Sequence, residues 1–162
     1  MIYCLGYARS VTALSNPPAL PKIFLDADVL FAGAASPSTH GASFILLAMG
    51  QLTLLQCITS EQAINEAERN LIAKLPTTVA SFRLLVRHCV HVVPTPSAVE
   101  CAAYTGEADP KDLPILVAAL REHCPYLITF NTRHFFPQSA QILVQRPGSF
   151  MQTLRGALST LA

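Results

Sequence analysis

The sequence predicts an α/β fold in which a central parallel sheet is covered by helices. Short apolar runs typical of buried strands alternate with longer segments whose apolar residues recur every three or four positions, as in helices. The first run, residues 23–30, is apolar on both faces, as expected for a central parallel strand. Strands that alternate with helices indicate parallel pairing through right-handed crossovers.

The later elements follow the same alternation. Ser60 is suited to cap the helix after the second strand. The predicted buried face of that helix comprises Ala63, Ile64, Ala67, Leu71 and Leu75. Asp109-Pro110-Lys111-Asp112 has the residue order of a helix start, which favours Asp109 as the cap. The pattern predicts further helices over 41–49, 79–87, 97–104, 109–123 and 149–161, and strands over 52–58, 91–93, 126–130 and 142–144.

The composition indicates one domain with apolar surface available for contact with another chain. The 162 residues are 51% hydrophobic and only 13% charged, against a usual charged fraction of about 25%. We therefore expect apolar surface to lie against another chain, as in a homodimer or higher homo-oligomer. The net charge of +1 provides no broad basic field for nucleic acid, so an RNA substrate would need a local basic patch.

The chain is expected to be one domain over 22–162 after an extended lead-in over 1–21, where three prolines lie within residues 17–21. No apolar stretch is long enough to span a bilayer, and the start does not resemble a secretory signal. Five scattered cysteines without a Cys-x-x-Cys pair argue against a disulfide framework. These features predict a cytoplasmic protein without a membrane segment.

Acidic side chains stand at the ends of several predicted elements. Two follow the first strand, one lies on the helix after Ser60, and two open a later helix: Asp26, Asp28, Glu66, Asp109 and Asp112. Ligands of open parallel sheets collect outside the carboxyl ends of the strands, and carboxylates grouped there repel one another unless a cation or protons neutralise them. Mg²⁺ prefers such oxygen ligands, and two such ions can activate water in phosphodiester cleavage.

Three segments, in this order and spacing, resemble the PIN-domain family of Mg²⁺- or Mn²⁺-dependent ribonucleases, many of which are toxins of bacterial toxin–antitoxin pairs. The first is Asp26-Ala27-Asp28 after an apolar strand, and the second is a helix that begins at Ser60 and carries an inward Glu66. The third is Asp112 at the start of an alanine-rich helix, followed by a strand that ends in 129–135. The similarity runs from about Ile23 to Val144.

The resemblance implies a three-layer α/β/α sandwich, hydrolysis of RNA with Mg²⁺ or Mn²⁺, and an antitoxin protein as partner. It also implies a role for each candidate residue. These are the catalytic metal ligands Asp26, Glu66 and Asp112, the additional ligands Asp109 and Asn131, the supporting residues Asp28, Ser60 and Thr129, and the substrate-phosphate contacts Arg133 and His134.

Two alternatives stay open. Asn131 stands where many family members carry an acid, which lowers the negative charge of the site and favours a weakly active or inactive module that binds RNA or protein. A haloacid-dehalogenase-like phosphatase would use Asp26 as nucleophile and Asp28 as acid. That family would place Gly-Thr shortly afterwards, where this chain has Val29-Leu30.

Overall fold

The computed structural model describes residues 21–36 and 40–159, so the predicted lead-in lies outside the described residues except for Pro21. Five strands form one sheet in the order β3-β2-β1-β4-β5, and every neighbouring pair is parallel. The strands are β1 (Lys22–Leu25), β2 (Gln56–Ser60), β3 (His91–Val93), β4 (Tyr126–Ile128) and β5 (Leu143–Gln145).

Helices cover both faces of this sheet. They are α1 (Ala27–Ala35), α2 (Ala42–Gln51), α3 (Glu61–Lys74), α4 (Val79–Cys89), α5 (Ala98–Ala102), α6 (Leu113–Arg121) and α7 (Pro147–Ser159). The chain moves outward from β1 to β3 and then returns past β1 to β4. Right-handed crossovers therefore put α5 and α6 on the face opposite α1 to α4. The predicted three-layer α/β/α sandwich is confirmed.

The first strand is shorter than the sequence predicted. It ends at Leu25, and residues 27–35 form α1 instead of more strand. Asp26 causes the switch, because its backbone is extended and its carboxylate Oδ1 accepts a hydrogen bond of 2.7 Å from the Ala27 amide. Val29 and Leu30 are buried in the helix, and a short apolar run does not distinguish a buried strand from a buried helix.

Other boundaries differ as well. Strand β4 ends at Ile128, not at residue 130, and α5 ends at Ala102, not at residue 104. Helix α3 ends at Lys74, so Leu75 is exposed although it was predicted on the buried face.

The differences at α2 and α6 have local reasons. Gly50 does not end α2, which continues to Gln51 and delays β2 to Gln56. A side chain at Gly50 would place a Cβ 2.4 Å from the Cys89 carbonyl oxygen, so this glycine allows close packing of α2. Residues 109–112 form a turn, and α6 begins only at Leu113.

The core fills both sides of the central strands. Ile23, Phe24 and Leu25 of β1 are fully buried, as is Leu116 of α6. Apolar residues on both faces are what a central parallel strand needs, and they fix the strand ends against the helices. Within the described ranges, the helices are too short or too polar to cross a bilayer.

Candidate functional site

The carboxyl ends of β1 and β4 bring four polar residues together. The amide of Asp26 donates a 3.0 Å hydrogen bond to the Ile128 carbonyl oxygen, so the residues that follow the two strands start side by side. Asp28 lies in the first turn of α1, and Thr129 and Asn131 follow β4. The parallel pairing of β1 with β4 therefore places one loop against the other.

Asp26 is a buried acid with acidic neighbours. Only 8% of its surface is exposed. Burial raises its pKa from 3.8 to about 7, and repulsion from Asp28 and, more weakly, Asp112 acts in the same direction. The hydrogen bond from the Ala27 amide and the nearby Thr129 hydroxyl oppose the shift. Asp26 therefore stays partly protonated at neutral pH unless a cation neutralises the cluster.

Asp28 ties α1 to the loop after β4. Its Oδ2 accepts hydrogen bonds from the Phe130 amide at 3.0 Å, the Asn131 side-chain amide at 3.1 Å and the Thr129 hydroxyl at 3.2 Å. Burial raises the pKa of Asp28, and these donors oppose the rise. Its Oδ1 is buried without a hydrogen-bond partner among the described residues, which is costly for a carboxylate oxygen.

A second group lies where α6 begins. His134 Nδ1 is 3.0 Å from Asp112 Oδ2 and 3.5 Å from Asp109 Oδ2. Asp112 occupies the N-cap position of α6, yet its side chain makes no capping hydrogen bond and remains available to the site. The side chain of Asp112 is 16% exposed and that of Asp109 is 42% exposed, so this group is more open to water than Asp26.

Backbone contacts hold the two turns of this second group together. Ala108 and Phe135 form an antiparallel bridge, and the Asp109 amide donates a 2.8 Å hydrogen bond to the His134 carbonyl oxygen. Asp109 does not cap α6 with its side chain; instead its carbonyl accepts from the amides of Asp112 and Leu113. The predicted capping role of Asp109 is thus replaced by a turn that presents two carboxylates.

The other sequence candidates lie around these two groups. Glu66 is half-buried on α3 and falls outside the group of Asp109, Asp112 and His134. Ser60 is fully buried and caps α3 through the Ala63 amide, as predicted. Arg133 is exposed on a short 3₁₀ turn over Thr132–His134.

Sequence reasoning did not find the contacts of His134 and Asn131. His134, expected at substrate phosphate, faces the acids through Nδ1, and Asn131, expected as a metal ligand, donates its amide to Asp28. Both contacts join residues far apart in the chain, so no local pattern marks them. The only available signal was that polar residues cluster after β4, within residues 129–134.

The donor chemistry of the site fits a divalent cation. Asp109, Asp112 and His134 each offer a ligand atom, and these atoms lie within 4.8 Å of one another. Asp112 also weakly raises the pKa of buried Asp26, and Asp28, beside Asp26, has an unpartnered Oδ1 among the described residues. Carboxylate oxygens suit Mg²⁺ and Mn²⁺, and an imidazole nitrogen is compatible with the latter.

Comparisons with known proteins agree with this architecture. The family model described as "PIN domain" matches residues 22–133. A chain in the structure of VapBC2 from Rickettsia felis, bound to a DNA fragment from their promoter, is 16% identical, with a TM-score of 0.56 over 77% of this chain and 98% of that chain. A chain of FitAB bound to an IR36 DNA fragment is 17% identical, with a TM-score of 0.55 over 77% and 94%. No curated protein matches the sequence.

Proposed function

The chain belongs to the PIN-domain family, and from this premise we propose that it is a divalent-cation-dependent ribonuclease, the toxin of a toxin–antitoxin pair. The observation that carries the proposal is the burial of Asp26 beside Asp28, with Asp112 close enough to raise its pKa further. Carboxylates held this close favour a cation between them, because its charge offsets both their repulsion and their desolvation.

In the proposed site, Asp26, Glu66 and Asp112 hold Mg²⁺ or Mn²⁺. Asp109 and the side-chain carbonyl oxygen of Asn131 complete the ligand set. When bound, the cation supplies positive charge for the oxygens of the scissile phosphate and lowers the pKa of water. The carboxylate of Asp26 must lose its proton to serve as a ligand.

The remaining residues position this set. Asp28 accepts from the Thr129 hydroxyl and from the Phe130 and Asn131 nitrogens, which fixes the loop after β4 beside α1. His134 holds the Asp112 carboxylate through Nδ1. Arg133 is exposed next to His134 and provides a positive charge for substrate phosphate, a contact that positions RNA without reading its sequence.

The test is cleavage of a panel of structured RNAs by the purified full chain with Mg²⁺ or Mn²⁺. Asp26→Asn keeps an oxygen that can cap α1 but removes the charge. Glu61→Gln, an exposed acid at the start of α3, is the matched control. We expect cleavage by the native protein and the Glu61 variant and none by the Asp26 variant. Equal cleavage by all three, or by none, would refute the proposal.

A module that binds RNA without cutting is the alternative, and one observation favours it. The side-chain amide of Asn131 donates to Asp28, and this neutral side chain adds no negative charge to the site. Such a module would retain RNA in a gel-shift assay with Mn²⁺ and leave it intact, and Asp26→Asn would not change the result. The family match offers no support for the phosphatase alternative.

The antitoxin is proposed to cover apolar surface and to place a basic side chain near the acids. Exposed Ile72 and Leu75 at α3 and exposed Leu84 on α4 offer such surface, which would also serve self-association. Expression of the chain should arrest growth, and co-expression of an adjacent small gene should relieve the arrest. Arrest that persists with Asp26→Asn would separate toxicity from RNA cleavage and contradict the proposal.

A further inference from the structure

We propose that Gln62 is a positioning residue for the cation site, because its side chain ties the turn that carries Asp112 to the helix that carries Glu66. This role rests on the proposed function and deepens it by adding a residue that holds no cation itself. Gln62 lies in the first turn of α3, four residues before Glu66.

The side chain of Gln62 contacts the backbone of the turn over residues 109–112. Its Nε2 donates a 3.0 Å hydrogen bond to the carbonyl oxygen of Lys111, the residue directly before Asp112. The two partners are 49 positions apart in the sequence. Because α3 and α6 lie on opposite faces of the sheet, this bond also crosses the sheet edge. Gln62 therefore joins two segments that carry proposed cation ligands.

Gln62 can serve as an anchor because its own backbone is held. Its amide donates a 3.0 Å hydrogen bond to the Thr95 hydroxyl, in the segment after β3. The next amide, that of Ala63, donates to the Ser60 hydroxyl at 3.3 Å. The first four amides of a helix have no partner within the helix, and these two bonds satisfy two of them. The first turn of α3 is thus fixed, and the Gln62 side chain reaches outward from it.

The Asp112 carboxylate follows the backbone of its turn, because the side chain makes no capping hydrogen bond on α6. On one side of the turn, the Asp109 amide donates a 2.8 Å hydrogen bond to the His134 carbonyl oxygen. On the other side, Gln62 donates to the Lys111 carbonyl oxygen. Loss of the Gln62 side-chain amide would release the α3 side of this turn.

Glu66 shares the face of α3 from which Gln62 reaches the turn. Residues four apart on a helix are neighbours on its surface, and both side chains are half-buried. A bond that fixes the distance from Gln62 to the turn therefore also fixes the distance from the backbone of Glu66 to that of Asp112. Mg²⁺ demands near-ideal octahedral geometry, so a cation held by both acids depends on that distance.

A positioning role predicts that cation affinity changes more than stability. The bond from Gln62 to Lys111 is exposed to water. Folding exchanges such a bond for hydrogen bonds with water, so its net contribution to stability is modest. Its contribution to the site is geometric, because water would satisfy the Lys111 carbonyl without fixing its place relative to α3.

The test measures Mn²⁺ binding to the full chain by electron paramagnetic resonance, in which the signal of free Mn²⁺ reports the unbound ion. The pH is about 8, where the ligands are deprotonated. Gln62→Met keeps the length of the side chain and removes the donor. Gln152→Met, at an exposed glutamine within α7, is the matched control. Thr95→Val removes the acceptor of the Gln62 backbone amide and leaves the Gln62 side chain in place.

Gln62→Met should weaken Mn²⁺ binding about tenfold, at the lower end of the losses typical of residues that support metal ligands. Gln152→Met should leave Mn²⁺ binding unchanged. Thr95→Val should lower the urea midpoint with little effect on Mn²⁺ binding. Equal affinity in the two methionine variants would overturn the role of Gln62. So would an equal loss in Thr95→Val, because it would indicate a general disturbance of α3.

Hydrogen–deuterium exchange of the cation-free protein gives a second measurement. In the peptide over residues 108–116, the amides of Asp112 and Leu113 donate to the Asp109 carbonyl oxygen. Gln62→Met should speed exchange in this peptide, because the turn is released on the α3 side. Gln152→Met should not change it. Unchanged exchange in Gln62→Met would contradict the proposed hold on the turn.

RNA cleavage separates this role from the proposed function. If the native chain cuts RNA and Gln62→Met binds Mn²⁺ as tightly as the native chain does, the ribonuclease proposal stands and the role of Gln62 falls. If Gln62→Met binds Mn²⁺ more weakly and the native chain cuts no RNA, the role stands and the ribonuclease proposal falls. If the native chain binds no Mn²⁺, both fall. A cleavage defect in Gln62→Met that added Mn²⁺ restores would support both.

Discussion

The two acidic groups of the site differ in how the fold holds them. The inner acids, Asp26 and Asp28, are fixed by a helix cap and by donors from the loop after β4. The outer acids, Asp109 and Asp112, lie on a turn beside the ring of His134, and Lys111 Nζ is 3.9 Å from Asp112 Oδ2. A charge costs more at the inner acids, because they are buried, whereas the outer acids can adjust to a ligand. The inner acids should therefore depend most on a cation.

The largest expected difference is in the pH dependence of stability without divalent cation. The raised pKa of Asp26 means that the folded state keeps its proton between about pH 4 and 7, where the unfolded state has lost it. The free energy of unfolding should therefore fall as pH rises through this range, by up to about 4 kcal/mol from this group. Urea denaturation in EDTA at pH 5 and pH 8 measures the fall.

Asp26→Asn should flatten that dependence, and Asp109→Asn should leave it in place. Added Mg²⁺ should stabilise the native chain more at pH 8 than at pH 5, because the ligands must be deprotonated. A native protein that gains stability over the same pH range in EDTA would contradict the assignment of a buried, protonated Asp26.

The two acidic groups should also differ in how much each contributes to the rate of RNA cleavage. Asp26→Asn should lower kcat by at least about a hundredfold, the loss typical when one group that supports transition-state charge is removed. Asp109→Asn should cost less, because its half-exposed side chain is replaceable by water. RNA cleavage rates at saturating Mn²⁺ test both, and a larger loss at Asp109 would reverse the proposed ranking.

His134→Ala tests whether the outer acids need their partner. Loss of the ring frees the Asp112 carboxylate to turn, and such a loss of support typically costs about 10- to 100-fold in metal affinity or activity. Arg133→Ala, at the neighbouring exposed position, should instead raise KM in a salt-dependent way. A cation titration of cleavage rates distinguishes these effects, and unchanged affinity in the His134 variant would show that Asp112 does not need this ring.

The smallest expected effect concerns the loop after β4. Thr129→Val removes a hydroxyl that donates to Asp28 and accepts from the backbone amide of Asn131. Loss of these two hydrogen bonds should lower the free energy of unfolding by about 1 to 3 kcal/mol. Thr105→Val, which loses an exposed hydroxyl bond to the Ala102 carbonyl, is the control and should cost less. Urea denaturation compares them; equal losses would mean that the bond to Asp28 contributes little.

Much of the fold was predictable because it depends on local patterns. The alternation of strands and helices, the Ser60 cap and strand β3 at His91–Val93 follow from residue periodicity and capping chemistry. The end of β1 was not predictable, because the apolar residues after Asp26 suit a buried helix as well as a strand. The helix signal there was Asp26 itself, which has a second role as a site acid.

The site was predictable only as a set of acids at strand and helix ends. Which acids meet depends on tertiary contacts such as the 3.0 Å approach of His134 to Asp112, across 22 positions of sequence. The role of Asn131 could not be predicted for the same reason. Its residue type indicates a metal ligand or a lost charge, whereas in the structure its side-chain amide donates a hydrogen bond to Asp28. Local sequence does not encode these pairings.

The bridge between Ala108 and Phe135 ties the turn that carries Asp109 and Asp112 to the turn that carries His134. These backbone contacts couple the position of one turn to that of the other. Movement of the His134 turn when a strand of RNA arrives would carry Asp112 with it, and release of a product would require both turns to return together.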